Sequence, residues 1–163
     1  MRLAALLLAL ALIPPDGTAS VSVSGAPSLS FEEGHATVLA LDGFGVLALT
    51  TAPLVDGAWA VPEDSAFVYV EVRVYGEIAE GEVPLGQGAS LTVQRWEPGG
   101  AASNDGPMIV GATGTLAFTT VADSLAVGQI DAVLTWLDAD SGTETTETLT
   151  ATFRAVPGQI PPP

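Results

Sequence analysis

Cysteine is absent from all 163 residues. The chain therefore has no disulfide, no thiolate nucleophile, no lipid-modified N-terminal Cys and no zinc site built on Cys. Lysine is absent too, so four arginines face 19 acids, and Schiff-base chemistry has no amine side chain to use. His35 is the single histidine. No Gly-x-Ser-x-Gly elbow is present to support a serine triad. Aromatic residues make up 6% of the chain, too thin for the two aromatic girdles of an outer-membrane barrel. After the N-terminus, no stretch repeats apolar residues at i, i+3, i+4 and i+7 among helix formers, so helix content is expected to be low.

What is present starts with a leader. Met1-Arg2 carries one positive charge, and Leu3 to Ile13 has no polar residue. Pro14-Pro15 follow, and Gly17-Thr18-Ala19 places small residues at the usual −3 and −1 positions. This is the three-part form of a secretory signal peptide, with cleavage expected after Ala19. The apolar run is too short to span a bilayer, which takes about 20 residues. Removing residues 1–19 takes away Arg2 and Asp16 together, leaving three arginines against 18 acids, a net charge still of −15. Such a surface repels phosphate backbones and anionic headgroups, so nucleic-acid binding is not expected. Nor is membrane insertion of the mature chain.

The remaining residues read as one domain, 20–156, followed by a proline-rich tail, 157–163. Gly and Pro number 30 together and are spread as punctuation. The clearest pattern lies between Gly114 and Ala155. There Leu116 and Phe118, then Ile130, Ala132, Leu134 and Trp136, then Leu149, Ala151 and Phe153 keep the two-residue period of strands with one dry face. Upstream, Asp42-Gly43 is a tight-turn dipeptide between two apolar runs and predicts a hairpin over 36–50. In the run from Phe67 to Tyr75, Val68, Val70, Val72 and Val74 form a core face. Phe67, Tyr69, Glu71, Arg73 and Tyr75 form the opposite face, either solvated or part of a ligand-binding surface. Further strands are expected at 20–24, 58–61, 90–96 and 108–110. The segment 120–127 reads as a connection or a single helical turn. The expected fold is all-β: an antiparallel β-sandwich or squat β-barrel of about 8–10 short strands.

Three groups of residues could carry chemistry. Glu32, Glu33 and His35 put two carboxylates and an imidazole within four residues, as a metal site or an acid–base pair would; a charged turn joining two strands would read the same way. Asp138 and Asp140, followed by Gly142, resemble the start of a calcium loop, making Ca2+ the one cofactor the sequence suggests. Position twelve of such a loop is Leu149, however, and hairpin tips favour the same residues. Trp59 and Trp96, with Tyr69 and Tyr75, are the candidate ligand-binding aromatics, whereas Trp136 keeps period with the core.

The run Gly111 to Thr120, followed by Val127-Gly128-Gln129-Ile130-Asp131-Ala132 and Ala151-Thr152-Phe153, resembles a loose strand pattern of uncharacterised secreted bacterial β-sandwich proteins. That resemblance implies the fold and export but carries no activity. The sequence thus leads to the expectation of an exported, non-catalytic protein that binds a protein or glycan, or has a structural role, at the cell surface or in the periplasm. A secreted hydrolase using acids such as Glu71, or a carbohydrate-binding module stabilised by calcium, is the competing reading.

Overall fold

Alternation decides which way each strand faces, and pairing decides where that face goes. The computed structural model describes residues 16–55, 58–99, 101–102 and 108–158. In chain order the strands are β1 (Thr18–Val23), β2 (Phe31–Leu41), β3 (Phe44–Thr50), β4 (Leu54–Val55), β5 (Ala58–Trp59), β6 (Phe67–Val74), β7 (Gly81–Leu85), β8 (Ala89–Glu97), β9 (Ala101–Ala102), β10 (Met108–Ala122), β11 (Leu125–Leu137) and β12 (Glu144–Pro157). The described residues contain no α-helix, only a single 3₁₀ turn at Pro27–Leu29.

Strands β6-β3-β2-β1-β12-β11-β10-β7-β8 hydrogen-bond in that order, and β6 pairs with β8 across the seam. The sheet closes on itself as a nine-stranded barrel. Closure resolves the sequence's choice between sandwich and barrel, because a closed sheet leaves neither end strand unpaired.

The dry faces expected from the sequence all point inward. Val68, Val70, Val72 and Val74 from β6 meet Leu116, Phe118, Ile130, Leu134, Trp136, Leu149 and Phe153, all buried in one cluster. Outward positions such as Ser22, Gln129, Asp131, Thr150 and Thr152 are exposed and polar. The Asp42-Gly43 turn joins β2 to β3 with Leu41 opposite Phe44, and Gly43 supplies a positive φ of 70°.

Four details differ from the expectation. The strands are not all short: β10, β11 and β12 run for 15, 13 and 14 residues. Residues 120–127 are the connection between strands and not the helical turn, and most of them are themselves strand, since Thr120, Val121 and Ala122 pair with Val127, Ala126 and Leu125 around a two-residue turn. Eight residues cannot hold a helix against a ladder already running on both sides. The sheet is not wholly antiparallel, because β12 meets β2 in parallel at Val156 and Pro157, and β7 meets β8 in parallel at Leu85. Finally, β7 escapes the sequence reading because Pro84 argues against a strand. It is tolerated there because β8 lies beside β7 at one pair only, leaving one side of β7 with little ladder to satisfy.

Candidate functional site

Outside the barrel, the first turns of chain after β3 fold back over β3 and β6. Ala48, Ala52, Trp59, Phe67 and Tyr69 form a second, smaller apolar cluster there, with Trp96 packed against it. Three of the four candidate aromatics therefore come together. The Trp59 ring stands edge-on to His35 with centroids 6.1 Å apart, and Trp96 stacks on Phe67 at 5.8 Å, nearly parallel. Tyr69 is buried and donates its hydroxyl to Glu71 Oε2 at 2.6 Å. Burial, then the hydrogen bond from Tyr69 to Glu71 and the negative charge beside it, hold the Tyr69 phenol well above its ordinary pKa. The other Glu71 oxygen accepts from Arg73. Both oxygens of the acid suggested for hydrolysis are thus engaged locally. Tyr75, at the end of the same face, is 59% exposed and stands apart from the cluster.

Asp138 and Asp140 lie in the turn between β11 and β12. Asp138 Oδ1 accepts the backbone N–H of Ser141 at 2.8 Å and of Asp140 at 3.0 Å. These bonds, that from Ser141 foremost, hold the Asp138 carboxyl below its ordinary pKa. The turn is closed again by Gly142 N–H to Asp138 O and by Asp138 N–H to Thr143 O. This is an aspartate closing a loop on itself. Among the described residues no group of three or more His, Asp or Glu side chains is placed to hold a metal ion.

The third group, around His35, opens onto a concavity. A groove of about 850 Å³ crosses β2, β1, β12, β11 and β10 on one side of the barrel. Register explains its composition. Thr18 lies opposite both His35 and Arg154, and Arg154 lies opposite Val127. In the next row Ser20 faces Thr152, and Thr152 faces Gln129. Residues more than a hundred positions apart in the chain become neighbours roughly 5 Å apart. Glu32, Glu33 and Thr51 complete one wall, and half-buried Val127, on the outward row opposite Arg154, adds an apolar side chain to the lining.

The charges in the groove do not balance. Arg154 donates through Nε and Nη2 to Asp16 Oδ1 at 3.0 and 2.7 Å, so its charge is met from within the chain. The three ion pairs among the described residues leave Glu32 and Glu33 without a guanidinium. Ser20 and Thr152 share a hydroxyl–hydroxyl hydrogen bond of 3.0 Å, and the Gln129 amide reaches Asp131. The site can therefore offer hydroxyl, amide, imidazole and carboxylate groups to a molecule lying across the strands. Sequence reading picked out Glu32, Glu33 and His35. Thr18, Ser20, Gln129, Thr152 and Arg154 were missed, since only their alternation on outward faces was visible and not the register that gathers them. No protein-family model, curated protein or solved structure matches the chain.

Proposed function

We propose that the chain is an exported, non-catalytic binding protein whose ligand lies in the groove beside His35. The observation that carries this reading is the groove itself. At about 850 Å³ it falls within the range of about 300–1,000 Å³ of small-molecule sites, and it pairs an apolar lining with several convergent polar groups. Glu32 and Glu33, without a guanidinium partner among the described residues, on a chain of net charge −15, favour a neutral or cationic ligand such as a glycan or an amine. The same charge argues against nucleic acid. A filled apolar interior and a polar exterior argue against a lipid-facing barrel, which requires the reverse arrangement. The hydrolase reading is less favoured, because the acid it needs at Glu71 is already hydrogen-bonded to Tyr69 and Arg73.

The test is a thermal-shift and NMR titration of the exported protein with three probes: a neutral oligosaccharide, a polyamine and an anionic oligosaccharide. Binding to the folded state alone raises the melt, by about 2.7 kcal/mol at a hundredfold excess over Kd. The expected result is a shift with the neutral or the cationic probe that disappears in Thr152→Trp, which fills the groove from an exposed position. A response to the anionic probe alone, or one untouched by Thr152→Trp and centred on Tyr75, would overturn the reading.

A further inference from the structure

One edge of the barrel wall stands open and unguarded. β10 pairs with β11 from Met108 to Ala122, but with β7 only from Gly114 to Phe118. β7 turns away at Gly86, where an added Cβ would stand 3.2 Å from the Ala112 carbonyl oxygen. Beyond that turn, Met108–Gly111 have a strand on one side only among the described residues. Val110 is the extra residue of a β-bulge between the pairs Ile109–Trp136 and Gly111–Thr135, so it has no ladder partner on β11 either. Apolar side chains gather at the same place. Met108, Val110 and Val133, the last opposite Thr113, are 60%, 48% and 42% exposed. Neighbouring strand ends carry the charges and proline that keep exposed edges from pairing. β12 has Glu144 and Glu147 where it extends past β1, β7 has Glu82 and Pro84, and β8 ends in the Arg95–Glu97 ion pair. β10 has no ionisable residue anywhere from Met108 to Ala122.

We propose that Met108–Gly111 is the contact of a two-fold dimer, paired antiparallel with the same run of a second copy. Charge selects this occupant. A cationic partner would be drawn to the acidic surfaces of a chain of net charge −15, not to its neutral strip. Two copies of the chain repel each other, and a strand without ionisable groups is where they can meet at least cost. Antiparallel edge pairing is also self-complementary, as a two-fold contact must be. It sets Met108 of one protomer opposite Gly111 of the other, a long side chain against none, and brings the two Val110 residues to the centre. The bulge adds local twist, which holds the pairing to this short run. So short a contact belongs with weak, transient interfaces and micromolar dissociation constants. The groove beside His35 lies toward the other end of β10, β11 and β12 and stays open in the dimer.

The experiment is sedimentation velocity on the purified protein from about 1 to 300 µM, a range that brackets a micromolar dissociation constant. The expected result is a monomer–dimer equilibrium that tightens with added NaCl, because salt screens the repulsion between two copies of charge −15. Val110→Lys, at an exposed position, should weaken the dimer about fivefold by setting like charges opposite one another. Val133→Lys, on the neighbouring strand, gives the same reading should Val110→Lys not fold. Leu41→Lys, similarly exposed beside the β2–β3 turn, should leave the dimer unchanged. A protein that stays monomeric throughout, or a dimer that salt loosens, overturns the proposal. So does a dimer that the β10 and β11 lysine variants leave intact, one that Leu41→Lys breaks, or growth past the dimer.

Discussion

Replacing Gly128 with alanine tests the tightest approach in the barrel. Gly128 sits in β11 between Phe118 of β10 and Phe153 of β12. A Cβ there would run into the carbonyl oxygen of Ala117 and lie 2.7 Å from Cζ of Phe153. Phe153 cannot turn aside freely, because its ring is buried and stands edge-on to Phe118 at 5.7 Å. Overpacking a closed core costs about 1–3 kcal/mol, and the upper end applies here because the obstructing atom is main chain. Alanine recovers roughly 0.5–1 kcal/mol by restricting the unfolded chain. The net loss is about 2 kcal/mol, which at roughly 3 °C per kcal/mol for a domain of this size lowers Tm by about 6 °C. The assay is thermal unfolding followed by far-UV circular dichroism. Gly43→Ala is the control: no atom lies within 4 Å of its Cβ, and the cost comes only from a φ of +70°. That cost is about 1 kcal/mol, and Gly43→Asn should recover part of it, since Asn tolerates the left-handed region. A Gly128→Ala variant melting within about 1 °C of the parent would refute the reasoning, because an insertion against main chain cannot be free.

Two further outcomes concern ionisation. The Tyr69 pKa is raised in the folded state, so its contribution is complete below the ordinary phenol value of 10.0 and is lost as pH rises above it. Alkaline unfolding monitored by phenolate absorbance should show that loss, and Tyr69→Phe should remove the pH dependence at a cost of about 1 kcal/mol for the missing hydrogen bond. The Asp138 pKa is lowered, so its contribution is present at neutral pH and is lost as pH falls through the lowered folded-state value. A carbon-detected NMR titration should place the Asp138 midpoint below 3.8, and Asp138→Ala should loosen the β11–β12 turn, read as faster amide exchange at Ser141.

Period alone determined the fold class and most of the core of this protein. A valine at every second position of β6, and the Leu, Ile and Phe series of β10, β11 and β12, admit one inward face, because successive side chains on a strand point to opposite sides. The Asp42-Gly43 hairpin was legible for a local reason: a two-residue turn needs a residue that accepts positive φ. Tertiary structure decided everything that depends on register and closure. Whether the sheet ends in two layers or pairs β6 with β8 is a question of long-range hydrogen bonding, which leaves no mark on residue type. The same holds for the groove. Thr18, Arg154, His35 and Gln129 are ordinary outward residues in their own strands, and only the alignment of β2, β1, β12 and β11 makes them neighbours. Thr18 and Ala19 belong to β1 for a related reason: the strands on either side, β2 and β12, draw them into the sheet, and residue type does not mark it.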